Sequence, residues 1–107
     1  MIKDVLDAYF EAFSQKDLSR LQTLFAEDVF LEDWTGHAQG IDQVARFNQK
    51  LFQQVNCIKI HIIDICYLKN KAMCELEITI DGELISAVDA ISFNDDLKII
   101  GISAYKR

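Results

Sequence analysis

Apolar residues return at three- and four-residue steps through the first stretch of the chain, at Ile2, Val5, Leu6, Tyr9, Phe10 and Phe13. That spacing lays them along one stripe of an α-helix, with Tyr9 on the inward side. "SQKD" interrupts the stripe and places Asp17 to cap a second helix, in which Leu18, Leu21, Leu24 and Phe25 supply an apolar face that folds back on the first. The period then changes. Val29 to Asp33 reads as a short strand with Val29, Leu31 and Asp33 on one face and Phe30 and Glu32 on the other. "TGHAQG" reads as a loop into a third helix, whose stripe is Ile41, Val44, Phe47, Leu51 and Phe52.

From Cys57 onward the pattern is that of strands. Ile58, Ile60 and Ile62 oppose Lys59 and His61, "KNK" turns the chain, and Cys74, Leu76, Ile78 and Ile80 oppose Glu75, Glu77 and Thr79. Asp81-Gly82 is a strong hairpin pair. "ELISAVDAISF" then carries Ile85, Ala87, Asp89, Ile91 and Phe93 on one face, with Leu84, Ser86, Val88, Ala90 and Ser92 on the other. "NDD" turns into a final strand within "LKIIGISAYKR". Two helices, a strand, a third helix and a meander of long strands predict an α+β fold, with three helices of the N-terminal half laid on one face of a curved, mostly antiparallel sheet. The length, 107 residues without linker or repeat, suits one domain over residues 1–107.

Composition narrows the partners. A net charge of −6 opposes a nucleic-acid or anionic-membrane surface, because a phosphate backbone repels such a chain. No apolar run approaches the length of a membrane span and "MIKDVLDAYFEAF" lacks the marks of a signal peptide, so a cytoplasmic location is expected. Cys57, Cys66 and Cys74 are odd in number and form no C-x-x-C pair, which predicts buried free thiols and neither a disulfide nor a metal site. Ile-rich strand faces on so short a chain suggest a homodimer.

Asp89 interrupts an apolar row, and a carboxyl there must find a partner or keep its proton. The residues alone leave two readings open: a structural buried acid bonded to backbone or to Tyr9, or a neutral acid that donates a hydrogen bond. Tyr9 by itself suits a core aromatic, and Asp33 by itself suits a solvated strand end. Together they form the set that enolate chemistry needs, one carboxylate to remove a proton and two donors to hold an oxyanion. His37, four residues past Asp33, reads as a rim residue that gates a pocket with Trp34. Trp34 either lines the pocket mouth or packs beneath the third helix, and His61 faces outward.

The run from Tyr9 to Asp33, "YFEAFSQKDLSRLQTLFAEDVFLEDW", and the segment "AVDAISFN" around Asp89 resemble the ketosteroid isomerase branch of the NTF2-like (nuclear transport factor 2-like) superfamily, also called SnoaL-like. The resemblance covers nearly the whole chain, with Trp34 where the family usually has proline. It implies a cone-shaped α+β barrel and a cofactor-independent isomerase in which Asp33 is the base and Tyr9 and Asp89 are oxyanion donors. Phe13, Trp34, His37 and Phe47 become candidates for lining the pocket. The implied partner is a small apolar carbonyl ligand, smaller than a steroid if the pocket is reduced. The alternatives are a SnoaL-like cyclase, dehydratase or hydrolase, or a non-catalytic ligand-binding or dimerisation module.

Overall fold

The computed structural model describes residues 1–107. Helices α1 (Ile2–Ser14) and α2 (Leu18–Leu24) are followed by strands β1 (Phe25–Asp33) and β2 (Gly36–Gln39), helix α3 (Ile41–Gln54), and strands β3 (Ile58–Tyr67), β4 (Lys71–Ile80), β5 (Glu83–Phe93) and β6 (Ile99–Lys106). The six strands form one curved, unclosed sheet in the order β2-β1-β6-β5-β4-β3, antiparallel except where β1 runs parallel to β6. The three helices pack on one face, as the alternation of apolar residues requires. Leu6, Leu21, Val44, Ile91, Phe93, Ile99 and Ile102 are fully enclosed between the two layers.

The helices are fixed by their ends. Asp17 caps α2 by accepting from the Arg20 amide at 3.1 Å. Lys16, between α1 and α2, takes a left-handed conformation (φ 57°), and the Lys16 and Asp17 amides bond back to the Phe13 and Ala12 carbonyls. Glycine is the usual residue in such a position. Lys16 uses its side chain instead, reaching the Val55 and Phe52 carbonyls at 2.8 and 3.4 Å and placing a cation at the negative end of α3.

The β4–β5 turn has the left-handed pair Asp81 and Gly82 (φ 49° and 86°) that the sequence predicts. Asp81 also accepts from the Asn56 and Cys57 amides, at 3.0 and 2.8 Å, and so ties the hairpin to the connection between α3 and β3.

Three expectations are corrected. "TGHAQG" is not simply a loop, because Gly36–Gln39 pairs with β1 as strand β2. The first strand begins at Phe25 and not at Val29, since Phe25 aligns with Ile99 of β6. Cys74 is buried, but Cys57 and Cys66 are exposed. Cys57 precedes β3, and a bulge between Ile62 and Asp64 reverses the alternation, turning Ile65 inward and Cys66 outward.

Candidate functional site

The inner face of the sheet and helices α1 and α3 enclose a cavity of about 510 Å³. Its apolar wall includes Phe13 of α1, Phe47 and Leu51 of α3, and Ile60, Leu76, Ile78 and Ile85 of the sheet. Tyr9, Asp33 and Asp89 open into this one space.

Register explains the meeting of the two aspartates. Asp89 on β5 lies opposite Ala104 on β6, and Asp33 on β1 follows the Glu32–Ser103 pair one residue further along the same β6 strand. The two carboxylates therefore flank Ala104 from either side, about 10 Å apart by backbone at the usual strand spacing. A small residue between them leaves room for a ligand atom.

Asp33 both closes its strand and faces the cavity. Its Oδ1 accepts from the Thr35 amide (2.7 Å), the Thr35 hydroxyl (2.6 Å) and the Gly36 amide (3.2 Å), which shapes the turn from β1 to β2. The carboxylate is nonetheless part of the cavity wall.

Asp89 is 7% exposed, and Tyr9 is 5% exposed. Neither side chain bonds to any other group of the chain, so the structural hydrogen bond between them is not formed. No fully enclosed side-chain nitrogen or oxygen in the chain lacks a partner, so the unpartnered oxygens of Tyr9 and Asp89 keep access to the cavity. Burial first, and the charge of Asp33 second, push the Asp89 carboxyl from its ordinary 3.8 to about 7. Burial, then the charges of Asp89, Cys74 and Asp33, raise the Tyr9 hydroxyl well above its ordinary range. Tyr9 therefore stays a proton donor. Cys74, opposite Asp89 on β4, is pushed to about 12 by burial and by Asp89, and remains a neutral thiol.

Of the other pocket candidates, Phe13, Phe47 and Trp34 line the cavity, Trp34 at its mouth with 42% exposure. His37 does not. As a residue of β2 opposite Glu32 it faces an open outer groove shared with Trp34, Tyr105 and Lys106. Sequence reasoning missed Asn48 of α3, which is 4% exposed and lines the cavity. Its signal was helical spacing, four residues after Val44 and four before Phe52. No group of three or more histidine, cysteine and carboxylate side chains is placed to hold a metal ion, and no helix is long and apolar enough to cross a membrane.

Comparison with solved structures finds the same architecture in an NTF2-like protein of unknown function from Cytophaga hutchinsonii (TM-score 0.85, 14% identity, covering 100% of this chain and 90% of that one). A proposed polyketide cyclase from Sinorhizobium meliloti aligns with a TM-score of 0.84 at 19% identity, over 94% of this chain and 93% of the other. A proposed ketosteroid isomerase from Kribbella flavida also gives 0.84, at 17% identity, over 99% and 77%. The sequence matches no curated protein. At these identities the structures establish the fold alone. The profile of the SnoaL-like domain matches residues 6–101, and the chain is a member of the SnoaL-like family with the NTF2-like fold.

Proposed function

We propose that the protein is a cofactor-independent isomerase of the ketosteroid isomerase type, acting on a small apolar carbonyl compound. The Asp33 carboxylate takes a proton from the carbon α to the carbonyl, and the electrons of that C–H bond move onto the carbonyl oxygen. Tyr9 and protonated Asp89 donate hydrogen bonds to this oxygen. The electrons then return to form a C–H bond at the γ carbon, with the proton delivered by Asp33, and the C=C bond moves into conjugation. The observation that supports this most directly is the pair of buried, unpartnered oxygens of Tyr9 and Asp89 in the cavity that Asp33 also lines. Its volume falls within the range of about 300–1,000 Å³ usual for small-molecule pockets.

Asp33→Asn is the deciding variant, because an amide oxygen still accepts from Thr35 and Gly36 while the basicity is gone. Conversion of β,γ-unsaturated ketones to their conjugated isomers, followed by ultraviolet absorbance, is expected to fall by about 10²-fold or more, with ligand affinity and circular dichroism preserved. A folded Asp33→Asn protein that keeps the wild-type rate would overturn the proposal.

The three hydrogen bonds on Asp33 Oδ1 favour a second reading, a binding module in which Asp33 only builds the turn. Ligand binding by the wild type with no turnover of any ketone would select it. The same groups also suit a cyclase, in which the enolate carbon attacks a second carbonyl and does not recover its proton. A homodimer through the outer sheet face, where Phe30, Leu84 and Tyr105 are exposed, belongs to the proposal.

A further inference from the structure

Only two polar or charged residues are buried in the whole chain, Asn48 and Asp89, and both line the same cavity. Asp89 has a place in the proton transfer described above. Asn48 does not.

Its position is that of a core residue. Asn48 lies one helical turn after Val44, which is fully buried, and one turn before Phe52, whose ring packs edge-on against Phe13 at 5.2 Å between centroids. An aliphatic residue would complete that stripe. A carboxamide there needs hydrogen-bond partners, because burying its donors and acceptor unmet destabilises the fold. The chain offers none: no side chain or carbonyl bonds to the Asn48 amide. Fully enclosed polar side-chain atoms without a partner do not occur in the chain, so the amide opens into the cavity. A polar group of this kind lowers the stability of the empty protein unless a ligand uses it.

We propose that Asn48 is a specificity-determining residue, which binds a second neutral oxygen function on the ligand, a hydroxyl or keto group remote from the carbonyl held by Tyr9 and Asp89. The proposal rests on the functional reading above for the first oxygen and adds the second. The carboxamide both donates and accepts, so it takes either a hydroxyl or a keto oxygen and does not favour a charged group. The substrate class is thereby narrowed from apolar ketones to compact ketones with two oxygen functions. A site built to bond a hydroxyl discriminates strongly against the analogue that lacks it, because its own buried polar group is then stranded.

The test uses β-naphthol, whose phenolic oxygen stands in for the enolate oxygen, beside the isomeric dihydroxynaphthalenes, with binding to the intact protein measured by fluorescence. At least one diol is expected to bind the wild type about tenfold or more tightly than β-naphthol, and Asn48→Leu is expected to erase that preference. Asn48→Leu is also expected to raise the melting temperature of the free protein, an effect opposite to the loss of a structural hydrogen bond.

β-Naphthol binding with no diol preference in the wild type overturns the assignment of Asn48 alone, as does a preference that survives Asn48→Leu. Should that variant fail to fold, Asn48→Ser provides the same comparison, and a folding failure in both overturns the assignment by making Asn48 structural. No binding of any naphthol overturns this inference and the oxyanion reading together. Weak binding that is unchanged by Tyr9→Phe overturns that reading of the first oxygen, while the diol comparison still decides the second.

Discussion

Asp89 ties the stability of the fold to pH. The unfolded chain releases its proton near the ordinary 3.8, whereas burial keeps it on the folded protein up to about 7. Between these values the unfolded state binds fewer protons, so the contribution of Asp89 to stability falls as pH rises, by about 1.4 kcal/mol per unit, and levels off above about 7. Urea unfolding at a series of pH values should show this slope, and Asp89→Asn should remove it. Asp33→Asn takes away the like charge, so the slope should end at a lower pH; an unchanged end point would mean that the two carboxylates do not interact. At this scale the sequence was most legible where one residue type violated its row, as Asp89 does on β5. Asn48 was less visible, because a polar residue beside Phe47 is ordinary on the wet side of a helix and only the spacing to Val44 and Phe52 betrays it.

Elements were legible where local pattern and tertiary demand agreed, as in α1, α3 and the hairpin at Asp81-Gly82. Strand β2 was hidden because "TGHAQG" has no strand composition of its own; pairing with β1 imposes the conformation. The polar "AED" likewise hid the start of β1, which the Phe25–Ile99 alignment extends. Contacts between elements were hidden too, above all the reach of Lys16 to the end of α3. Lys16→Met keeps the stem and removes the ammonium, and is expected to cost about 1 kcal/mol in denaturant unfolding. Lys3, whose ion pair with Asp7 lies on the exposed face of α1, is the control: Lys3→Met should leave the midpoint where it was. Equal effects of the two substitutions would show that the α3 cap contributes nothing.

For the molecule as a whole, one sheet face is covered by helices and the other is open. Phe30 and Tyr105 lie on that open face with Val88, the register partner of Tyr105. The Phe30 ring lies across Gly101, where an added side chain would displace it. Light scattering is expected to give the mass of two 12.3 kDa chains, and Tyr105→Lys combined with Val88→Lys to give one, with the cavity intact; a wild-type monomer at all concentrations would refute the pairing. The parallel alignment of β1 with β6 has a further consequence for how the chain is born. As synthesis proceeds, Tyr9 and Asp33 emerge early and Asp89 late, yet the wall between the two aspartates is β6 itself. Until Ile99–Lys106 has left the ribosome, β1 has only the four residues of β2 beside it, and its other edge stays open to any passing strand. The edges of β1 and β5 that flank β6 thus stay open until the strand that completes the cavity wall is in place.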